Sequence, residues 1–143
     1  MTIDITAAAI ATIISSCVAT IVALRINKSN TKKALNDQLD GIIKIAIQYP
    51  YLENTAFANT WTANRNSESE KYLRYDNYCA LVFNYLSRLC EHYNFDKAEI
   101  EKHLNVRDWI RVHKQCWENP STPFENADGY SKVFKKFIEA YLN

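Results

Sequence analysis

The sequence predicts an all-α protein with a single helix at its amino-terminal end that is long enough to cross a membrane. Only 2 of the 143 residues are Gly and 3 are Pro, which argues against a turn-rich barrel and against disorder. Apolar residues recur at spacings of three and four, and no stretch alternates with the period of two that strands show. Aromatic residues make up 13% of the chain, enough for the packed core of one domain.

The first element is a predicted transmembrane helix. The run from Ile5 to Leu24 contains no charge and no proline, and at about 1.5 Å per residue it spans about 30 Å, the thickness of a hydrocarbon core. Asp4 precedes the run, whereas Arg25 and Lys28 follow it, so the positive-inside rule places the amino terminus outside. A cleaved signal would need a basic start. We therefore expect a single-pass protein of the inner membrane with its carboxyl-terminal part in the cytoplasm.

One side of this helix carries small and hydroxylated residues at every fourth position. Such residues let helix backbones approach closely, and their hydroxyls can bond across the contact, although Ala and Thr are also common in membrane helices that do not associate. The pattern predicts self-association into a homo-oligomer. The residues predicted to associate are Ala8, Thr12, Ser15, Ser16, Ala19 and Thr20.

Three segments are predicted along the chain. The transmembrane anchor covers residues 1–25, a juxtamembrane stalk covers 26–48, and a helical cytoplasmic sensor domain covers 49–143. The stalk ends before Pro50, because proline interrupts a helix but is favoured in the first turn of the next one. That next helix is short and runs through Trp61.

The later helices are predicted from their caps and breaks. A long amphipathic helix forms the centre of the domain, and two shorter helices follow it, the second of which includes Val106 and Trp117. After a turn that contains Pro120, a closing helix runs from Tyr130 to Tyr141. The predicted caps are Ser67 with Glu70 as a capping box, Asp96 with Glu99, and Asn105.

The sequence contains no motif for a known catalytic or cofactor site. Two Gly residues are too few for a Walker loop or a dinucleotide fingerprint, and no Gly-x-Ser-x-Gly elbow occurs. We therefore predict no enzyme and no cofactor. An enzyme that uses His113 with a nearby acid or thiol is the minority alternative.

The four Cys residues raise the question of a metal site. No CxxC pair occurs, and His113 and Cys116, three residues apart, are the best candidate pair for zinc. Both fall on an apolar stripe, where Cys packs as a small hydrophobic residue. We therefore predict no metal.

Arg and aromatic residues predict a ligand-binding surface. Arg planes and aromatic faces together bind phosphates and unstacked bases, although the same residues also serve in ordinary cores and solvated faces. The net charge of +1 gives no bulk attraction to nucleic acid, so no DNA partner is expected. The residues predicted to bind a ligand are Arg74, Tyr75, Arg107, Arg111, Lys114 and Trp117.

The layout of the chain resembles the small membrane-bound effectors of type III CRISPR systems. The stretches YPYLE at 49–53, RYDNYC at 74–79 and DWIRVH at 108–113 also look like stretches in small bacterial single-pass proteins. The resemblance implies an antiviral defence effector whose cytoplasmic domains assemble as a tetramer and bind a cyclic oligoadenylate, cyclic tetra-adenylate in particular. Binding would then perturb the membrane through the transmembrane helices. The alternative is a single-pass interaction or scaffold protein that has no nucleotide ligand.

Overall fold

The computed structural model describes residues 2–121 and 129–143, and in the first of these ranges it describes side chains from residue 15 onward. The regular structure in these ranges is helical throughout and contains no strand, which confirms the all-α prediction. The helices are α1 (Thr2–Gln48), a 3₁₀ helix (Pro50–Glu53), α2 (Thr55–Ala58), α3 (Trp61–Asn64), α4 (Glu70–His92), α5 (Lys97–Glu101), α6 (Val106–Val112), α7 (Lys114–Glu118) and α8 (Lys132–Leu142).

The chain divides into two compact units, Met1–Asn36 and Asp37–Asn143. In the first unit, the side chains at positions 15–34 of α1 are exposed. The observed division after Asn36 falls between the two predicted borders, which follow residues 25 and 48.

The predicted membrane placement needs correction. Across the described parts of the chain, we find no helix with the length and apolar character that a bilayer crossing requires. This finding contradicts the prediction of a single-pass inner-membrane protein with a cytoplasmic carboxyl-terminal domain. The part of the apolar run with described side chains extends from Ser15 to Leu24, because Arg25 follows. This part is about 15 Å long, about half of the length that a membrane span needs.

The residues predicted to associate within a membrane fall into two groups. Ala8 and Thr12 lie outside the residues whose side chains are described. The other four are exposed on α1, and the Thr20 hydroxyl donates a hydrogen bond to the backbone carbonyl of Ser16 at 2.8 Å. These four are Ser15, Ser16, Ala19 and Thr20.

Helix α4 supplies much of the core of the second unit. Its successive buried residues lie one to three positions apart, as expected for a helix with neighbours on several sides, and this confirms the predicted central helix. Around it, α7 packs against α3 and α4, and α6 packs against α8. The buried residues of α4 are Tyr75, Tyr78, Cys79, Val82, Phe83, Tyr85, Leu86, Leu89 and Cys90.

Two of the three predicted caps are confirmed. The Asp96 carboxylate accepts hydrogen bonds from the backbone N–H groups of Ala98 and Glu99 at 3.0 and 3.2 Å. The Asn105 side chain accepts one from the backbone N–H of Asp108 at 3.4 Å.

The capping box predicted from Ser67 and Glu70 is wrong. Helix α4 begins at Glu70 itself, with Ser69 in the cap position and no side-chain cap bond. Ser67 lies two residues before that cap, too far upstream for its hydroxyl to serve the first turn. Its buried hydroxyl oxygen has no hydrogen-bond partner among the described residues.

The Asp96 cap yields a prediction. Asp96→Ala removes the acceptor of two backbone N–H groups at the start of α5, so we expect the free energy of unfolding to fall by about 1 kcal/mol. Urea unfolding measures this change. Glu68→Ala, which removes an exposed carboxylate outside any helix, is the matched control and should leave stability within about 0.5 kcal/mol. Equal effects of the two substitutions would contradict the cap.

Candidate functional site

Three side chains converge on one carboxylate oxygen in the second unit. Oε1 of Glu53 accepts hydrogen bonds from the Tyr78 hydroxyl, from Trp109 Nε1 at 2.8 Å and from His113 Nε2 at 3.4 Å. No described residue donates to the other oxygen, Oε2. The three hydrogen bonds to Oε1 therefore hold the carboxylate in one orientation, while Oε2 accepts no hydrogen bond from a described residue.

Short local breaks position the members of this cluster. Pro50 ends α1 and starts the 3₁₀ helix, in which Leu52 is buried and Glu53 is the last residue. Asn54 then caps α2 by accepting a hydrogen bond from the backbone N–H of Phe57 at 3.0 Å. The turn therefore places Glu53 beside the buried Leu52 and fixes where its side chain leaves the backbone.

A second break places His113. The sequence predicts one helix that includes Val106 and Trp117, but the structure divides it, since α6 ends at Val112 and α7 begins at Lys114. His113 occupies the junction and is wholly buried. Its imidazole therefore lies inside the core, between the Glu53 carboxylate and α4.

The environment of Glu53 favours its ionised form. Burial raises the pKa of the carboxyl, but the hydrogen bond and charge of His113, with the hydrogen bonds from Tyr78 and Trp109, outweigh it and leave the pKa below the ordinary value. Burial also raises the pKa of the Tyr78 hydroxyl, and the adjacent Glu53 raises it further. At neutral pH the pair is therefore a carboxylate with a neutral phenol donor.

The hydrogen bonds of His113 assign its protons. A carboxylate only accepts, so Nε2 of His113, which faces Glu53, carries a proton. The other ring nitrogen, Nδ1, forms a hydrogen bond with the Tyr75 hydroxyl at 3.1 Å, and it also lies 3.7 Å from the Cys79 sulfur. Glu53, His113 and Tyr75 therefore form one connected polar network that enters the core.

An acid, an imidazole and a thiol thus lie in sequence, as in a nucleophilic triad. The Cys79 side chain is only 1% exposed, and burial, together with the neighbouring Cys116, raises its thiol pKa. Since the thiolate is the nucleophile, this position disfavours a reactive sulfur. The arrangement fits a structural network better than a catalytic one.

The structure also bears on the zinc alternative. Among the residues it describes, no group of three or more His, Cys, Asp or Glu side chains is arranged to hold a metal ion. His113 makes its contacts with Glu53, Tyr75 and Cys79. Cys116 is buried as a small core residue.

Glu53 forms part of the lining of an open cleft of about 580 Å³, which we call the Glu53 cleft. Its walls are otherwise apolar or aromatic, and two isoleucines remain accessible on it, Ile43 at 43% and Ile47 at 72% exposure. The cleft therefore combines an apolar surface with one preorganised negative charge. Its lining residues are Ile43, Ala46, Ile47, Pro50, Glu53, Tyr78, Leu104 and Trp109.

Two of the predicted ligand-binding residues lie in the second turn of α4, and the structure places them in different environments. Arg74 forms an ion pair with Glu70, donates to the Tyr51 hydroxyl at 3.0 Å and stacks over the Tyr49 ring at 4.0 Å. Tyr75 is wholly buried. The Arg74 guanidinium is therefore already engaged, and the Tyr75 ring lies in the core.

The other four predicted residues lie on α6 and α7. Arg107 and Arg111 are exposed on α6, whereas Lys114 belongs to α7 and lies 3.5 Å from Glu118. The half-buried Trp117 packs in the aromatic core, with its ring centroid 4.8 Å from that of Phe83. The break at His113 thus divides the predicted row. No hydrogen bond, ion pair or ring contact among the described residues joins this group to Arg74 or Tyr75.

Sequence reasoning missed Glu53 and Tyr78. A signal for them exists in the sequence. Tyr75, Tyr78 and Val82 are spaced as one helix face, and a buried tyrosine needs an acceptor for its hydroxyl. Glu53 comes directly after the apolar Leu52 in a segment rich in tyrosine. Its carboxylate is therefore a candidate acceptor for the hydroxyl of a buried tyrosine.

No protein-family model, curated protein or solved structure matches this chain. The fold and the site therefore define its class by architecture alone: an all-α protein whose open apolar cleft includes a held carboxylate.

Proposed function

We propose that this chain is an interaction protein whose second unit docks an apolar segment of another protein in the Glu53 cleft. The exposure of Ile43 and Ile47 beside Leu104 and Trp109 is the observation that carries the proposal. Covering such a surface gains about 25 cal/mol for each Å² of apolar area removed from water. An interaction or scaffold protein is the alternative function predicted from the sequence. The proposed function keeps the interaction and omits the membrane placement.

The shape of the cleft favours a protein segment over a small molecule. Ile43, Ala46 and Ile47 are spaced i, i+3 and i+4, so they line one face at the end of α1, and Pro50 extends this lining from the start of the 3₁₀ helix. Small-molecule sites usually enclose most of their ligand, whereas here the isoleucines lie open to solvent. An open groove beside a helix face matches the way amphipathic segments dock.

The Glu53 network lowers the cost of docking. Because three donors already hold Oε1, the carboxylate does not lose rotamer freedom when a partner arrives. Preorganisation of this kind raises affinity by reducing the entropy that binding must offset. The charge also requires the partner to supply a matching polar group, which gives specificity.

Selection of a displayed random-peptide library on the purified protein tests the proposal. We expect enriched peptides whose affinity falls at least about tenfold on Ile47→Asp, since that change places a charge on the exposed wall of the cleft. Ile47 is already exposed, so the substitution should leave the fold unchanged.

Val133→Asp is the matched control, because Val133 is also exposed but lies on α8 and is not part of the cleft lining. It should leave the affinity unchanged. The proposal is overturned if no peptide is enriched, or if enriched peptides bind the Ile47→Asp protein as well as they bind the parent.

The cyclic oligoadenylate ligand implied by the resemblance stays a prediction, and one further measurement decides it. The docking proposal expects no change in melting temperature with cyclic tetra-adenylate, because the cleft carries a negative charge and the predicted Arg residues do not line it. Stabilisation that Arg107→Glu or Arg111→Glu abolishes would favour the nucleotide ligand instead.

A further inference from the structure

We infer that the Glu53 cleft selects a lysine side chain of the docked segment, whose ammonium binds Oε2 of Glu53. The inference rests on the proposed docking function and specifies the chemistry that the cleft recognises.

The lining of the cleft matches the two parts of a lysine side chain. A lysine has an apolar stem of four methylene groups that ends in a compact positive charge. Ile47, Leu104 and Trp109 offer an apolar wall for the stem, while Glu53 offers a carboxylate for the head. A purely apolar side chain would cover the same wall but would bury the carboxylate oxygen without a partner, which is costly.

The charge on Glu53 has no Lys or Arg partner among the described residues. Its one ion-pair contact within the described ranges is with His113, whose Nε2 lies 3.4 Å from Oε1. The donors from Tyr78 and Trp109 are neutral groups. The cleft therefore presents a half-buried negative charge, and a ligand cation would compensate it where solvent screening is weak.

The pattern of occupied lone pairs favours lysine over arginine. A guanidinium pairs best with both oxygens of a carboxylate at once. Three donors already bind Oε1 of Glu53, so a ligand finds only Oε2 open. An ammonium is a compact point charge that needs just one oxygen.

The Trp109 indole N–H gives a direct readout, because it donates to the same carboxylate. Its ¹H–¹⁵N resonance, identified with Trp109→Phe, is followed during titration of the full chain with n-hexylamine and with 1-hexanol at neutral pH. We expect n-hexylamine to shift this resonance with at least about tenfold higher affinity than 1-hexanol. The Trp61 indole is the internal control, because it donates to the Asn119 carbonyl at 2.7 Å and should not move.

Two comparisons separate charge recognition from simple burial. On the Glu53→Gln protein, n-hexylamine should bind no tighter than 1-hexanol, whereas Glu68→Gln, at an exposed site, should keep the preference. On the unsubstituted protein, n-butylguanidinium should bind more weakly than n-hexylamine, and hexanoate more weakly than 1-hexanol. These last two probes need no variant to fold.

Equal affinities for n-hexylamine and 1-hexanol would overturn the lysine inference and leave the docking function intact. The same holds if neither probe moves the Trp109 resonance while library peptides still depend on Ile47. Peptides that show no dependence on Ile47 would overturn the docking function itself.

Discussion

Trp61→Ala should lower the free energy of unfolding by about 3 to 5 kcal/mol, the range for removing a large buried aromatic side chain. Trp61 is only 1% exposed, and its ring lies 5.6 Å from that of Tyr75 between centroids. Its Nε1 donates to the carbonyl of Asn119, so it joins α3 to the end of α7. Urea unfolding followed by circular dichroism measures the loss.

Two further variants separate the causes of that loss. Leu73→Ala removes an aliphatic side chain that is 52% exposed on α4, and it should change stability by no more than about 0.5 kcal/mol. Trp61→Phe keeps an aromatic ring but leaves the Asn119 carbonyl without its donor, so an intermediate loss is expected. A Trp61→Ala protein as stable as Leu73→Ala would refute the assignment of Trp61 to the core.

The helices could be predicted from the sequence because their signals are local. The apolar stripe of α4 and the caps at Asp96 and Asn105 depend on residues a few positions apart, and the structure confirms each of them. The break at His113 carries no such signal. No Gly or Pro occurs between Pro50 and Pro120, and the apolar spacing continues from α6 into α7.

The cleft could not be predicted in the same way, because its contacts are distant in sequence. Glu53 meets Tyr78, Trp109 and His113 across 25, 56 and 60 positions. Each residue alone has an ordinary explanation, and only packing of the helices brings them to one oxygen. Conversely, residues that are adjacent in sequence can be separated by packing. Arg74 and Tyr75, both predicted to bind a ligand, lie in different environments.

The second large effect concerns Glu53. Glu53→Leu should lower the free energy of unfolding by about 3 kcal/mol at neutral pH, because it leaves the donors of Tyr78, Trp109 and His113 without their acceptor. Glu53→Gln keeps an acceptor oxygen of similar shape, so it should cost less. Chemical unfolding of the three proteins in one buffer measures both differences.

The difference in unfolding free energy between the parent protein and Glu53→Gln should depend on pH, because its source is the ionised carboxylate. The pKa of Glu53 is lower in the folded protein than its ordinary value of 4.5, so its ionised form stabilises the fold above that pH. The contribution is lost as the pH falls through the folded pKa, below 4.5, where the parent carries a neutral acid that resembles Gln. The stability gap between the parent and Glu53→Gln should therefore be present at neutral pH and shrink below about pH 4.5. A gap that stays unchanged down to pH 3, or that also appears for Glu68→Gln, would show that shape rather than charge holds the cluster together.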